Sequence, residues 1–134
     1  MRRSEIRELA FKLIYSLEIQ KIENLEEQIE LYIENNEIED ENAKEYIKDI
    51  VLGIRKNEND ILDAIEKSLT SEWKIERISK INLSLLKLAI YEIKYKDIPF
   101  KAEINEVIEL AKKYADEASA KFINGALATF VKDM

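Results

Sequence analysis

The sequence contains no cysteine and no histidine, and it has only two glycines and one proline in 134 residues. Thiolate catalysis, a Ser-His-Asp triad, zinc fingers and disulfides are therefore excluded. Two glycines are also too few for a loop that cradles phosphate. The same shortage excludes β-sandwiches, barrels and dinucleotide-binding folds, which use glycine in their turns. We expect no metal site and no cofactor.

Long apolar runs are missing as well. No segment approaches the roughly 20 consecutive apolar residues of a membrane-spanning helix. The N-terminus has neither the apolar region nor the small-residue cleavage site of a secretory signal. These absences predict a soluble, cytoplasmic protein.

The residues that are present favour helices. Apolar residues make up 46% of the chain and charged residues 37%, and apolar side chains recur every three or four positions, as in amphipathic helices. We predict an all-α fold, a compact bundle of six or seven helices. Residues 1–134 should form a single domain with two packed helical subdomains, approximately 1–70 and 71–134.

Capping residues mark the predicted helix starts in the N-terminal half. Ser4 is the expected N-cap of the first helix, and Asn24 with Glu27 resembles a capping box for a second helix that ends near Asn35. The apolar period then continues from residue 43 to 69. This pattern indicates either one long helix or two helices that break near Asn57.

A central helix is predicted over about 79–95, because apolar residues there occupy nearly every side. Pro99 ends it, and two further helices follow. Gly53 lies inside a helical pattern and is expected to permit a close helix crossing. Trp73 is expected to fill the junction between the two helical groups.

Charge is distributed unevenly along the chain. Residues 23–66 carry four basic and fifteen acidic groups, whereas residues 1–22 and 67–134 each carry a net charge of +2. An anionic partner is therefore expected to contact the two ends of the chain and to avoid the middle. The acidic segment could equally be a solvated face that keeps the protein soluble.

Basic residues near the start of the first helix are candidate contacts for phosphate. Arg2, Arg3, Arg7 and Lys12 could neutralise three or four phosphates, which predicts a salt slope of roughly −2 to −3 on single-stranded RNA. Tyr15 is either a base-stacking residue or a half-buried core tyrosine. Arg2 and Arg3 could also be no more than a solvated terminus.

The last helix offers a second candidate pair, Lys121 and Phe122. Phe122 could be a platform for a base or part of the core. Carboxylates such as Glu92 and Glu109 are not expected to be catalytic, because carboxylates at such spacings are common on helices. We therefore predict that the chain is not an enzyme.

Several segments resemble the NusB family of bacterial transcription antitermination factors. The strings INEVIELAKKYA (104–115) and KFINGAL (121–127) carry most of the resemblance. RRSEIRELA (2–10), LAIYEI (88–93) and IPFK (98–101) add to it. The resemblance covers nearly the whole chain and is loose only in the acidic middle.

The resemblance implies an all-helical protein without enzymatic activity. Members of the family bind boxA, a short single-stranded element of nascent ribosomal RNA, together with the ribosomal protein that acts as NusE. This assembly joins other Nus factors and keeps RNA polymerase from terminating early. The arginine-rich N-terminus is the family's RNA-binding element, and the protein partner docks on the C-terminal half. On this basis Asn82 and Lys87 are predicted to bind the partner.

Two other functions remain possible at this point. The chain could be a protein-only helical adaptor or a homodimerisation module, and some relatives do form homodimers. It could also be the helical module that is found fused to ribosomal RNA methyltransferases. That module would need a long catalytic domain, which these 134 residues do not contain.

Overall fold

The computed structural model describes residues 1–20, 22–70 and 74–134. Within these ranges the chain forms helices and no strand, which confirms the prediction of an all-α fold. No helix in the described ranges is long and apolar enough to cross a membrane. The seven α-helices seen in these ranges are α1 (Arg3–Ile19), α2 (Leu25–Asn35), α3 (Glu41–Lys56), α4 (Glu58–Ser68), α5 (Lys80–Tyr95), α6 (Phe100–Tyr114) and α7 (Glu117–Lys132), with a short 3-10 turn at Ile75–Arg77.

Side-chain caps fix the starts of several helices. The Asn24 side chain accepts a hydrogen bond from the Glu27 N–H at 3.1 Å, which confirms the predicted start of α2. Ser79 caps α5 in the same way. The first helix begins earlier than expected, because Ser4 lies inside α1. There the Glu5 carboxylate accepts a hydrogen bond from the Arg2 backbone N–H at 3.3 Å.

Helix α5 is the centre of the molecule. It packs against α1, α3, α4, α6 and α7, and its residues from Ser84 to Ile93 are buried. This confirms the prediction of a central helix, which needs apolar residues on every side because neighbours surround it. The division into subdomains 1–70 and 71–134 stays a prediction, since helices of both halves share α5 as their packing partner.

Of the two alternatives predicted for residues 43–69, the structure has two helices that break at Asn57. Asn57 ends α3, where its backbone N–H and side-chain amide both donate to the Gly53 carbonyl, at 3.0 and 2.8 Å. Gly53 permits the close crossing that the sequence predicted, because a Cβ atom there would lie 2.1 Å from the Tyr91 hydroxyl. The predicted role of Trp73 lies outside the described residues.

Candidate nucleic-acid interface

The cationic residues of α1 do not form one edge. Arg3 lies over the Tyr46 ring of α3, 4.8 Å from its centroid, and Lys12 lies over the Tyr114 ring of α6 at 5.7 Å. Nine residues separate them, which places them on opposite sides of the helix and about 13 Å apart along its axis. Arg2 is exposed and paired with Glu5 at 2.9 Å. A single phosphate-binding edge over the first two turns is therefore not present.

Arg7 points into the core. It is 5% exposed, and its Nε atom lies 2.9 Å from a Glu92 oxygen and 3.3 Å from a Glu103 oxygen. This corrects the prediction that Arg7 contacts RNA, because a buried guanidinium held by carboxylates cannot reach a phosphate. We call Arg7, Tyr46, Glu92 and Glu103 the buried cluster; it joins α1, α3, α5 and α6.

One carboxyl group of the buried cluster has a raised pKa. Burial raises the pKa of Glu103 well above its ordinary value, the neighbouring Glu92 carboxyl raises it further and the charge of Arg7 lowers it. The Tyr46 hydroxyl donates to the second Glu92 oxygen at 2.8 Å. Burial alone lowers the pKa of Arg7, but the hydrogen bond with Glu92 and the nearby carboxylates raise it overall. The guanidinium is therefore hydrogen-bonded to Glu92, while the environment of Glu103, whose oxygens have no hydrogen-bond partner within the described part of the chain, favours its neutral form.

Lys12 belongs to a second cluster, at the surface between α1 and α6. The Lys113 ammonium lies 5.5 Å from the centroid of the Tyr114 ring, so two lysines flank one aromatic ring. Glu8 accepts hydrogen bonds from Lys113 Nζ, at 2.7 Å, and from the Tyr114 hydroxyl. These two bonds lower the pKa of Glu8. We call Glu8, Lys12, Lys113 and Tyr114 the surface cluster.

Lys113 and Tyr114 are not among the residues predicted to bind RNA. The signal for them is two consecutive lysines beside a tyrosine at the end of α6, inside the string that carries the family resemblance. Only packing shows that Lys12 of α1 lies beside them, since 101 residues separate Lys12 from Lys113 in sequence.

Tyr15 is half-buried and lies in an aromatic row beneath the surface cluster. Its ring stacks on the buried Phe11 ring at 6.2 Å with an interplanar angle of 15°, and Phe11 packs against Tyr114 at 5.4 Å. This confirms the interpretation of Tyr15 as a half-buried core tyrosine, whereas its stacking on a base stays a prediction.

A cleft of about 330 Å³ opens where α5 and α7 begin. Arg77, Asn82, Ser119 and Phe122 are among its lining residues. The N-terminal ends of both helices face this region, and helix N-termini favour anions. Phe122 is half-buried, and the adjacent Lys121 is exposed.

Asn82 lies in this cleft, and its Oδ1 atom is buried without a hydrogen-bond partner. The structure thus brings together a residue predicted to bind the protein partner and one predicted to bind RNA. Lys87 does not share this surface. It is 3% exposed and is paired with Glu18 and with Glu58, the latter at 2.8 Å. This corrects the prediction that Lys87 binds the partner, because its charge is used inside the molecule.

The acidic segment forms a separate surface on α2 and α3. A groove of about 430 Å³ between these helices is lined by Glu26, Glu27 and Glu30, with Lys48 as the basic residue of its lining. No group of three or more potential metal ligands occurs in residues 1–20, 22–70 and 74–134. The negative charge of these glutamates makes this face unfavourable for a polyanion.

Comparison with known proteins identifies the family. A model described as the NusB family matches residues 4–132. The chain belongs to the NusB family.

Curated members of the NusB family are similar to the chain over almost its full length. A transcription antitermination protein NusB from Acetivibrio thermocellus is 50% identical over 98% of this chain and 90% of its own length. One from Listeria monocytogenes is 41% identical over 99% of this chain and 98% of its own. This confirms the resemblance drawn from the two C-terminal strings.

Solved NusB structures share the fold. The NusB of T. maritima has a TM-score of 0.89 and 34% identity, over 99% of this chain and 92% of that one. A crystal structure of the antitermination factors NusB and NusE in complex with dsRNA has a TM-score of 0.88 and 28% identity. It covers 98% of this chain and 97% of the matched chain.

Proposed function

We propose that this chain is an RNA-binding transcription antitermination factor. It binds boxA-type single-stranded RNA of nascent ribosomal RNA together with the ribosomal protein that acts as NusE, within a larger assembly of Nus factors and RNA polymerase. The family membership supports this proposal, as does the similarity to a NusB that was crystallised with NusE and RNA. The relatives are named for antitermination and not for a reaction, which confirms that the chain is not an enzyme.

The observation that carries the proposal is the separation of charge over the surface. Lys12 of α1 and Lys113 of α6 lie beside the Tyr114 ring, whereas glutamates of α2 line a groove between α2 and α3. Lys113 and Lys121 lie within nine residues of each other, on either side of the α6–α7 turn. A flexible RNA strand can therefore follow one basic surface without approaching the acidic groove.

Each residue of this surface has a proposed role. Lys12, Lys113 and Lys121 contact phosphates, and Tyr15 and Phe122 offer rings for unpaired bases. Arg2 and Arg3 remain proposed phosphate contacts from the exposed N-terminus, although Arg3 lies on the opposite side of α1 from Lys12. Asn82 remains the proposed contact of the protein partner, from its position in the cleft between α5 and α7.

The proposed site of action is the cytoplasm, where transcription of ribosomal RNA takes place in bacteria. The absence of a membrane-spanning helix in the described ranges is compatible with this. The relatives' names, which all refer to transcription antitermination, support it.

Fluorescence anisotropy tests the function. A labelled boxA-like RNA and a scrambled RNA of equal length are titrated with the protein, with and without the NusE partner. We expect tighter binding to the boxA-like RNA, and a further gain when the partner is present. Lys113→Gln combined with Lys121→Gln should weaken this binding, whereas Lys48→Gln on the acidic groove should not. Equal binding to both RNAs, or none with the partner present, would instead favour the protein-only adaptor.

A further inference from the structure

Glu8 occupies the middle of the surface cluster, where an RNA phosphate is expected. Its carboxylate accepts a hydrogen bond from Lys113 Nζ at 2.7 Å and another from the Tyr114 hydroxyl. Lys12 adds a second positive charge nearby, which favours the ionised form of Glu8. The Glu8 side chain is 24% exposed and that of Lys113 is 61% exposed, so solvent reaches this ion pair.

These partners suit a phosphate as well as a carboxylate. An ammonium and a hydroxyl donate to one anionic group while a second ammonium lies nearby, and charge-assisted hydrogen bonds of this kind serve both anions. The donors around Glu8 therefore form an anion-binding site, which the Glu8 carboxylate itself occupies. A phosphate that binds the Tyr114 hydroxyl must displace Glu8 from it, because that hydroxyl has a single hydrogen to donate. The Lys113 ammonium has three hydrogens, so there the two anions compete for its charge.

We propose that Glu8 is an internal competitor of RNA phosphate, which must leave the Tyr114 hydroxyl before a phosphate binds it and which shares the charge of Lys113 with that phosphate. The inference rests on the proposed function and adds to it a residue that weakens binding. Because every RNA has phosphates, Glu8 lowers affinity for all sequences alike. Recognition of a particular sequence then depends more strongly on base contacts and on the protein partner.

The decisive variant is Glu8→Gln, which keeps the shape of the side chain and removes its charge. We expect it to raise the affinity for boxA-like and scrambled RNA alike, by about threefold to tenfold at moderate salt. The dependence of log K on log salt should steepen by roughly 0.7, as for one additional phosphate contact on a single strand.

Glu30→Gln is the matched control. Glu30 also pairs with a lysine at 2.8 Å, Lys48, and it lies in the acidic groove. This variant changes the net charge by the same amount as Glu8→Gln. Its effect on RNA affinity therefore measures the long-range electrostatic effect of net charge alone. We expect that effect to be less than twofold. A gain as large as that of Glu8→Gln would overturn the proposal.

A double variant tests whether the effect passes through the surface cluster. In a Lys113→Gln background, Glu8→Gln should produce little further gain, because the ammonium that the two anions share is gone. A full gain in that background would mean that Glu8 acts elsewhere. A loss of affinity in Glu8→Gln alone would also refute the proposal, because Glu8 would then position Lys113 for RNA.

A binding titration with short inorganic polyphosphate distinguishes failure of this inference from failure of the proposed function. It has no bases, so it probes the anion site without boxA recognition. If the natural chain binds no RNA while Glu8→Gln tightens polyphosphate binding, the competitor is supported and the proposed function fails. If the natural chain binds RNA and Glu8→Gln tightens neither ligand, only the competitor is refuted. Circular dichroism confirms that each variant is folded.

Discussion

Two clusters of cations, carboxylates and a tyrosine join α1 to α6, and they differ in access to water. In the buried cluster Arg7 is 5% exposed and Glu103 is fully buried. In the surface cluster the Lys113 side chain is 61% exposed. The two clusters contain nearly the same types of residue, and their α1 cations, Arg7 and Lys12, are only five positions apart.

The difference between the clusters decides what their charges can do. Water screens the surface ion pair, which is therefore weak and can be exchanged for a phosphate. The buried ions have lost their hydration and depend on one another, so that removal of one leaves an uncompensated charge. Of the two cations on α1, Arg7 in the buried cluster thus stabilises the fold, whereas Lys12 in the surface cluster is available for binding.

The largest effect is expected from Arg7→Met, which keeps the length of the side chain and removes its charge. Glu92 would then be a buried carboxylate without its guanidinium, so the free energy of unfolding should fall by about 3–5 kcal/mol. Urea denaturation followed by circular dichroism measures this. Lys12→Met is the control and should change stability by no more than about 0.5 kcal/mol. Similar losses in both variants would remove the distinction between the clusters.

Glu103→Gln should stabilise the protein above neutral pH. Glu103 has a folded-state pKa raised above its ordinary value of 4.5. As the pH rises above 4.5, the unfolded chain releases this proton and the folded chain keeps it, so the natural protein loses stability. The variant avoids this loss, and we expect a gain of about 1–2 kcal/mol at pH 8.

Urea denaturation from pH 4 to pH 9 checks the Glu103 prediction. The difference between the variant and the natural chain should grow with pH and should be smallest at pH 4, where Glu103 is protonated in both states. The groups around Glu103 are Arg7, Glu92, Glu106 and Tyr46. A constant difference across this range would show that Glu103 is not the group that titrates.

In the surface cluster, Lys12→Gln and Lys113→Gln should each weaken RNA binding by roughly fivefold, or about 1 kcal/mol. The salt slope should become shallower by about 0.7 for each lysine that contacts a phosphate. Anisotropy titrations at several salt concentrations give both quantities. Arg55→Gln, at the end of α3, is the control. An unchanged salt slope in both lysine variants would place the RNA elsewhere.

The smallest expected effect is the stability change in Glu8→Gln. The hydrogen bonds from Lys113 and Tyr114 lower the pKa of Glu8, so its contribution is present above the ordinary pKa and disappears as the pH falls through the lowered value. For a partly exposed pair we expect a loss of about 0.5 kcal/mol at pH 7. Thermal melts at pH 7 and pH 3 test it. A loss comparable to that of Arg7→Met would show that this ion pair behaves as a buried one.

The helices were predictable because their signals are local. Asn24 and Ser79 cap the helices that follow them, and α5 was identifiable from apolar residues on every side. Ser4 was misassigned as a cap because the Glu5 carboxylate accepts a hydrogen bond from the Arg2 N–H, and α1 begins two residues earlier than predicted. A close helix crossing at Gly53 was predicted, but its partner, Tyr91, was not.

The candidate site was predictable in part. Lys12 lies in the surface cluster with Lys113 and Tyr114. Phe122 lines the cleft at the start of α7 and Lys121 is exposed, and RNA contact by Lys12, Lys121 and Phe122 stays a prediction. Arg7 and Lys87 were wrongly predicted to bind RNA and the protein partner, and the physical reason is the same for both. An arginine or lysine in a helical pattern is expected at the surface, and its burial depends on carboxylates that come from other helices. Glu92 is 85 residues from Arg7, and Glu18 is 69 residues from Lys87.

The amino-acid sequence alone determined the helical fold, the absence of histidine and cysteine chemistry, the acidic middle segment and the family. Each of these depends on composition, on periods of three or four residues, or on contiguous strings. Tertiary packing alone decided which cations are buried, that the pKa of Glu103 is raised, and that Glu8 faces Lys113. Electrostatic interactions depend on distance in space and on exclusion of water, and neither can be read from distance along the chain.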